Sequence, residues 1–166
     1  MNWFLFWLFL HITAAVLAFG PIFVFPIIGT LAAKAPQNMK FVVELNHRIE
    51  TRLVLPFALS MVVSGSGLLW TANINWFATP YLIVGVVLYL IATTLSIGFL
   101  LPNTRKLLNF VEHAPAPVPG AATAGPPPQV MRLIRRNQIA GGITTVLFLI
   151  IIFLMIIQPG GINFRM

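Results

Sequence analysis

Four long apolar runs, roughly Trp3 to Leu31, Leu53 to Trp70, Pro80 to Leu101 and Ile139 to Ile157, decide what this chain can fold into. Each is long enough, at about 20 residues or close to it, to cross the ~30 Å hydrocarbon core of a bilayer as a helix. A segment inside hydrocarbon must satisfy its own backbone polar groups, and isolated runs do so as helices. Of the 166 residues, 58% are hydrophobic and 8% charged, so an ordinary water-soluble domain is excluded. The expectation is an all-α, integral membrane four-helix bundle, a single domain with the lipid bilayer as its first partner. No length remains for a separate soluble catalytic domain.

The formal charge of +7 invites a nucleic-acid reading, but its placement follows membrane insertion instead. Lys34, Lys40, Arg48 and Arg52 lie in the first connector, and Arg105, Lys106, Arg132, Arg135 and Arg136 in the third. The second connector carries no basic residue and the tail only Arg165. The positive-inside rule then puts the first and third connectors in the cytoplasm and both termini on the non-cytoplasmic side, with no nucleic-acid partner. No lysine or arginine precedes the first run, which reads as a retained helix and not a signal peptide. The absence of cysteine removes disulfides, thiolate metal sites and thiol catalysis together.

His11 is the ionisable residue inside a spanning run, ~14 Å in from its start at ~1.5 Å per residue. Ala14, Ala15 and Ala18 share its helical face on one side, Trp7 and Leu8 on the other. Small residues there allow close approach of a neighbouring helix or of a flat cofactor. Three readings are open for the imidazole: a neutral ring bonded to a serine, threonine or tyrosine of another span, a metal or redox ligand, or a proton carrier. Tyr89, Thr93, Ser96 and Ser64 are its candidate internal partners.

Elsewhere the pattern is punctuated by proline and glycine. Pro21 and Pro26 are expected to bend the first span, Pro56 the second, and Pro102 to end the third. Asn38 to Arg52 reads as an amphipathic, interfacial helix leading into the second span, with Phe41, Leu45 and Ile49 as its apolar edge. Glu44 and Arg48 are spaced to pair, and His47 and Glu50 to hydrogen-bond. That cluster is either a solvated interfacial face or a site where Arg48 and Arg52 hold an anionic group, such as a lipid phosphate or a cofactor carboxylate. Ser60, Ser64, Gly65 and Gly67 form a small-residue strip for helix packing, with Met61 as core filler. Residues 113–128, rich in proline and alanine, read as a flexible cytoplasmic loop, and Gln158-Pro159-Gly160 closes the last helix.

No phosphate loop, zinc-protease motif or nucleophile elbow is present, and no catalytic residue is singled out. A histidine in the first span, a charged run entering the second at Arg52-Leu53 before Pro56, and a last span entered by VMRLIRRNQ and closed by Gln158-Pro159 carry a resemblance. The chain resembles an uncharacterised DUF-type family of four-span bacterial integral membrane proteins, and more distantly the membrane protoporphyrinogen oxidase and copper-resistance D-type membrane domains. The resemblance implies the bacterial inner (plasma) membrane. The oxidase family binds haem through its first-span histidine, which corresponds to His11, and also uses a third-span lysine that YLIVGVVLYLIATTLSIGF lacks.

The reading that leads is haem b, or a related tetrapyrrole, bound at His11 against Ala14, Ala15 and Ala18. His11 would act alone, with a methionine, or as two copies across a homodimer. A non-catalytic accessory subunit of a larger membrane complex is the alternative, and transport of copper or a small solute the third.

Overall fold

The computed structural model describes residues 2–34, 38–75, 79–113 and 127–159. Four helices among them are long and apolar enough to cross a membrane, and no strand is present among the described residues. The first runs Trp3–Lys34, the second Met39–Thr71, the third Pro80–His113 and the fourth Pro128–Ile157. At ~1.5 Å per residue each exceeds the ~30 Å hydrocarbon thickness, so their ends extend beyond it.

The prolines do not interrupt these helices. Pro21 and Pro26 lie inside the first, which stays α-helical through both. In the second and third helices a five-residue π-helical stretch, Glu50–Val54 and Ser96–Leu100, ends two residues before Pro56 and Pro102 respectively. A proline lacks its N–H and its ring presses on the carbonyl four residues back. Widening the turn relieves that contact. The Leu55 N–H accordingly reaches the Glu50 carbonyl and the Leu101 N–H the Ser96 carbonyl, each five residues back. Pro102 therefore does not end the helix, which runs on to His113 where the sequence reads as a connector. The last helix stops where the breaker predicts, with Gln158 in the left-handed region (φ 46) and its N–H on the Leu154 carbonyl at 3.0 Å.

The first helix packs along the second and the third along the fourth. The centre is closed by Ala14, Ala18, Phe19, Met61, Ala92, Phe148 and Ile151, with the Phe19 and Phe148 rings 3.8 Å apart between centroids. Val16, Ile27, Val63, Leu90, Val146 and Phe153 are exposed apolar residues spread over all four helices, the surface a protein shows to lipid.

Beyond the apolar part, the start of the second helix, the end of the third and the start of the fourth pack into a second, smaller core of Val43, Leu107 and Val130. The amphipathic run is thus helical and continuous with the second span. Its covered edge differs from the one the spacing marked: Val43 is buried while Phe41 is exposed. The helix turns the Val43 side toward its two neighbours, and the Phe41 edge is left outside. The proline-rich stretch 114–126 lies outside the described residues.

Small residues set the seam between the first two helices. A Cβ at Gly67 would collide with the Trp7 ring, whereas at Gly65 it would meet His11 Cε1 at an ordinary 3.5 Å. At Gly85 it would meet only the mobile tip of Met155. Gly67→Ala is therefore expected to destabilise the detergent-solubilised protein by about 1–3 kcal/mol, the usual cost of overpacking. Gly65→Ala and Gly85→Ala should leave its thermal midpoint nearly unchanged; equal shifts for all three would show that Trp7 does not seat on Gly67.

Candidate functional site

His11 turns toward the second helix, where its Nδ1 lies 3.1 Å from Ser64 Oγ. The Ser64 hydroxyl points its hydrogen at the carbonyls of Ser60 (3.0 Å) and Met61 (3.3 Å). With that hydrogen on a carbonyl, its oxygen accepts from the imidazole in the Nδ1–H tautomer. That assignment leaves Nε2 with a lone pair and no hydrogen-bond partner among the described residues. The ring is half-buried, and Ser64 is buried beneath it. Of the expected partners, Ser64 is the one that reaches the imidazole.

The alanine face is filled by the bundle itself. Ala18 has no exposed surface and Ala14 almost none; both belong to the central core with Met61, Ala92 and Phe148, and Ala15 packs against that core. The methionine at 61 is core, as its spacing indicated. Tyr89 donates to the backbone carbonyl of Ala58, one turn before Met61, and ties the third helix to the second.

Arg48 is exposed and its Nη2 lies 2.5 Å from Glu44 Oε1, the pairing the spacing predicts. Arg52 is exposed on the same face one turn later. The third candidate group, Thr93 and Ser96, does not reach His11. These residues line a separate small cavity of about 30 Å³ with Glu50, Val54, Leu55, Ala58, Ile97 and Leu101, capped by the stacked Phe19 and Phe148.

Glu50 is the functional candidate that sequence reasoning placed in a solvated face. It lies half-buried in the first turn of the π-helical stretch. No hydrogen bond joins it to His47 among the described residues, contrary to their helical spacing. Thr104 on the third helix faces its carboxyl, and Asn137 on the fourth donates from Nδ2 to Thr104 Oγ1 at 3.2 Å. Four buried polar atoms around this level have no partner: Asn46 Oδ1, His47 Nδ1, Asn103 Nδ2 and Asn137 Oδ1. Periodicity could have found the own-helix half of this group, since Asn46, His47 and Glu50 share a face. The other half depends on how three helices meet.

The exposed guanidiniums of Arg48 and Arg52 mark residues 39–52 as outside the hydrocarbon, and Glu50 with them. Burial pushes its carboxyl up to about 7, against the pull of Thr104 and Arg105.

Residues 5–159 match the family described as "Predicted integral membrane protein (DUF2269)". The chain belongs to this family. The resemblance to a DUF-type four-span membrane family thus holds for nearly the whole chain, and the four apolar helices fit it. No curated protein and no solved structure matches.

The raised Glu50 carboxyl has a consequence for stability in this DUF2269 protein. Between about 4.5 and about 7 the folded state holds a proton that the unfolded state has released. Stability from this group is fully present below about 4.5 and lost as pH rises through about 7. Thermal midpoints in detergent should fall across that window and fall less in Glu50→Gln; the same slope in both proteins would contradict the placement of Glu50.

Proposed function

We propose that this protein is a non-catalytic membrane subunit, a four-helix scaffold working within a larger membrane complex, with His11 as a clasp between its first two helices. The observation that carries the reading is the 3.1 Å His11–Ser64 bond, made by a ring whose alanine neighbours are already packed into the core. A buried imidazole needs a partner, and Ser64 supplies one without a cofactor. Such a bond contributes about 0.6 kcal/mol on average and up to about 1.7 in a membrane interior. That magnitude fixes helix register without carrying the fold.

A second reading is favoured by one observation. Nε2 keeps its lone pair while Nδ1–H is held by Ser64, the arrangement that orients a histidine as a metal ligand. The residues present fit the donor of a haem b or related tetrapyrrole but do not fit its cradle, because Ala14 and Ala18 are already buried in the central core. A tetrapyrrole at His11 would have to lie outside the bundle, as between two copies of the chain. Copper or solute transport draws no support from the donors: no group of three or more metal-ligating side chains occurs among the described residues.

Two measurements separate these readings. An absorption spectrum of protein purified from haem-replete cells should be colourless; a Soret band that disappears in His11→Ala would replace the scaffold by the tetrapyrrole reading. A double-mutant cycle of His11→Ala and Ser64→Ala should give a coupling of about 0.5–1.5 kcal/mol in thermal or denaturant stability. Additive losses would mean the two side chains do not act as a clasp.

A further inference from the structure

We propose that the basic end of the bundle contains an internal hydrated carboxyl site, at which Glu50 takes up and releases a proton through water held by Asn46, His47, Asn103 and Asn137. This is independent of His11, which lies on the other side of the Phe19–Phe148 pair.

The register of three helices builds the site. Val43, Leu107 and Val130 form an apolar layer. Moving about one turn toward the bundle centre brings Asn46 and His47 on the second helix and Asn103 and Thr104 on the third, with Glu50 one turn further on. On the fourth helix Asn137 arrives at the same level, since its amide reaches Thr104. A polar layer is thus enclosed between two apolar ones. Asn103 is 7% exposed, yet its Nδ2 has no partner. Leaving such groups unpaired is costly, so an occupant is implied. The orphaned set mixes acceptors (Asn46 Oδ1, Asn137 Oδ1) with a donor (Asn103 Nδ2). A bare cation serves only the first kind and an anion only the second. Water serves both, and a buried water typically makes about three such bonds.

The adjoining cavity extends the site inward. At about 30 Å³ it has room for water beside Glu50, but most of its lining is apolar, so the hydrated part of the site is the polar layer. Its polar lining comes from Glu50, Thr93 and Ser96, and both π-helical stretches border it. The widened turns open the space and present Glu50 and Ser96 to it. Phe19 and Phe148, with their rings tilted against one another, complete its lining.

The surroundings favour a carboxyl that can be neutral. Burial among the three helices outweighs the pull of Thr104 and Arg105 toward the charged form. Arg105 is the charged neighbour on the third helix and is exposed. His47 lies on Glu50's own helix, Arg135 and Arg136 on the fourth are exposed, and the first helix brings Phe19, an uncharged residue. Proton uptake forms one O–H bond on Glu50 and breaks one in hydronium; nothing else changes. The raised carboxyl described above agrees with this placement.

The test is an infrared titration of the full chain in lipid nanodiscs. Glu44, Glu50 and Glu112 are the three side-chain carboxyls, which makes the bands assignable. One carboxylic C=O band is expected to disappear only near neutral pH, while the others ionise near the usual ~4.3. That band should shift at once in D2O, persist in E44Q/E112Q and vanish in Glu50→Gln. Ionisation of every carboxyl below about pH 5.5, or a neutral step surviving in Glu50→Gln, overturns the proposal. A band resistant to D2O for hours overturns the hydrated path. If Glu50→Gln does not fold, E44Q/E112Q decides alone, since Glu50 is then the remaining glutamate.

Discussion

Inside hydrocarbon a helix has no water to take up a broken backbone hydrogen bond, and this constraint governs how the chain treats its prolines. Two sit in the first helix without interrupting it. In the second and third helices the chain answers Pro56 and Pro102 by widening the preceding turn to five-residue bonding. The helix survives, and the local diameter grows. That single accommodation carries both rods past the bilayer and opens the small cavity between them. Backbone satisfaction and internal space come from the same turns.

Packing between helices then depends on residues small enough to bring backbones together, because lipid chains are as apolar as the side chains they compete with. Gly67 accepts the Trp7 ring, Gly65 lies under His11, and Ala18 and Ala92 let the central helices close on one another. The imidazole is held within this seam by one serine whose own hydrogen is returned to its helix. Polar groups at this depth are satisfied locally: Tyr89 by the Ala58 carbonyl, Thr144 by that of Ala140. The hydroxyls of the apolar part named here are thus bonded within the bundle.

The basic end has a different character. There the helices outrun the membrane, their charged residues face outward, and the layer between them keeps several amide and imidazole atoms without partners. A carboxyl sits at the boundary between the two regimes, half-buried and lining a cavity together with the aromatic pair. The contrast between a bonded interior and an under-bonded end makes the latter the place where water and protons have reason to reside. The clasp at His11, by comparison, is a saturated contact on the side it presents to the bundle.

Hydropathy alone determined the four spans, the all-α class and the helix stop at Gln158, since apolar length and breaker residues act through local physics. It also put the clustered basic residues in two connectors and singled out His11 and Ser64 as potential partners, because both lie in apolar runs where polar groups must pair. Which hydroxyl reaches His11, which edge of the amphipathic run is covered, and where Glu50 stands were decided by the meeting of helices distant in sequence. Helical periodicity shows which residues share a face, but not what that face meets. Glu50 meets Thr104 of the third helix, which Asn137 of the fourth holds in turn, and shares a cavity with Ser96 and Phe148. That coincidence exists only in three dimensions.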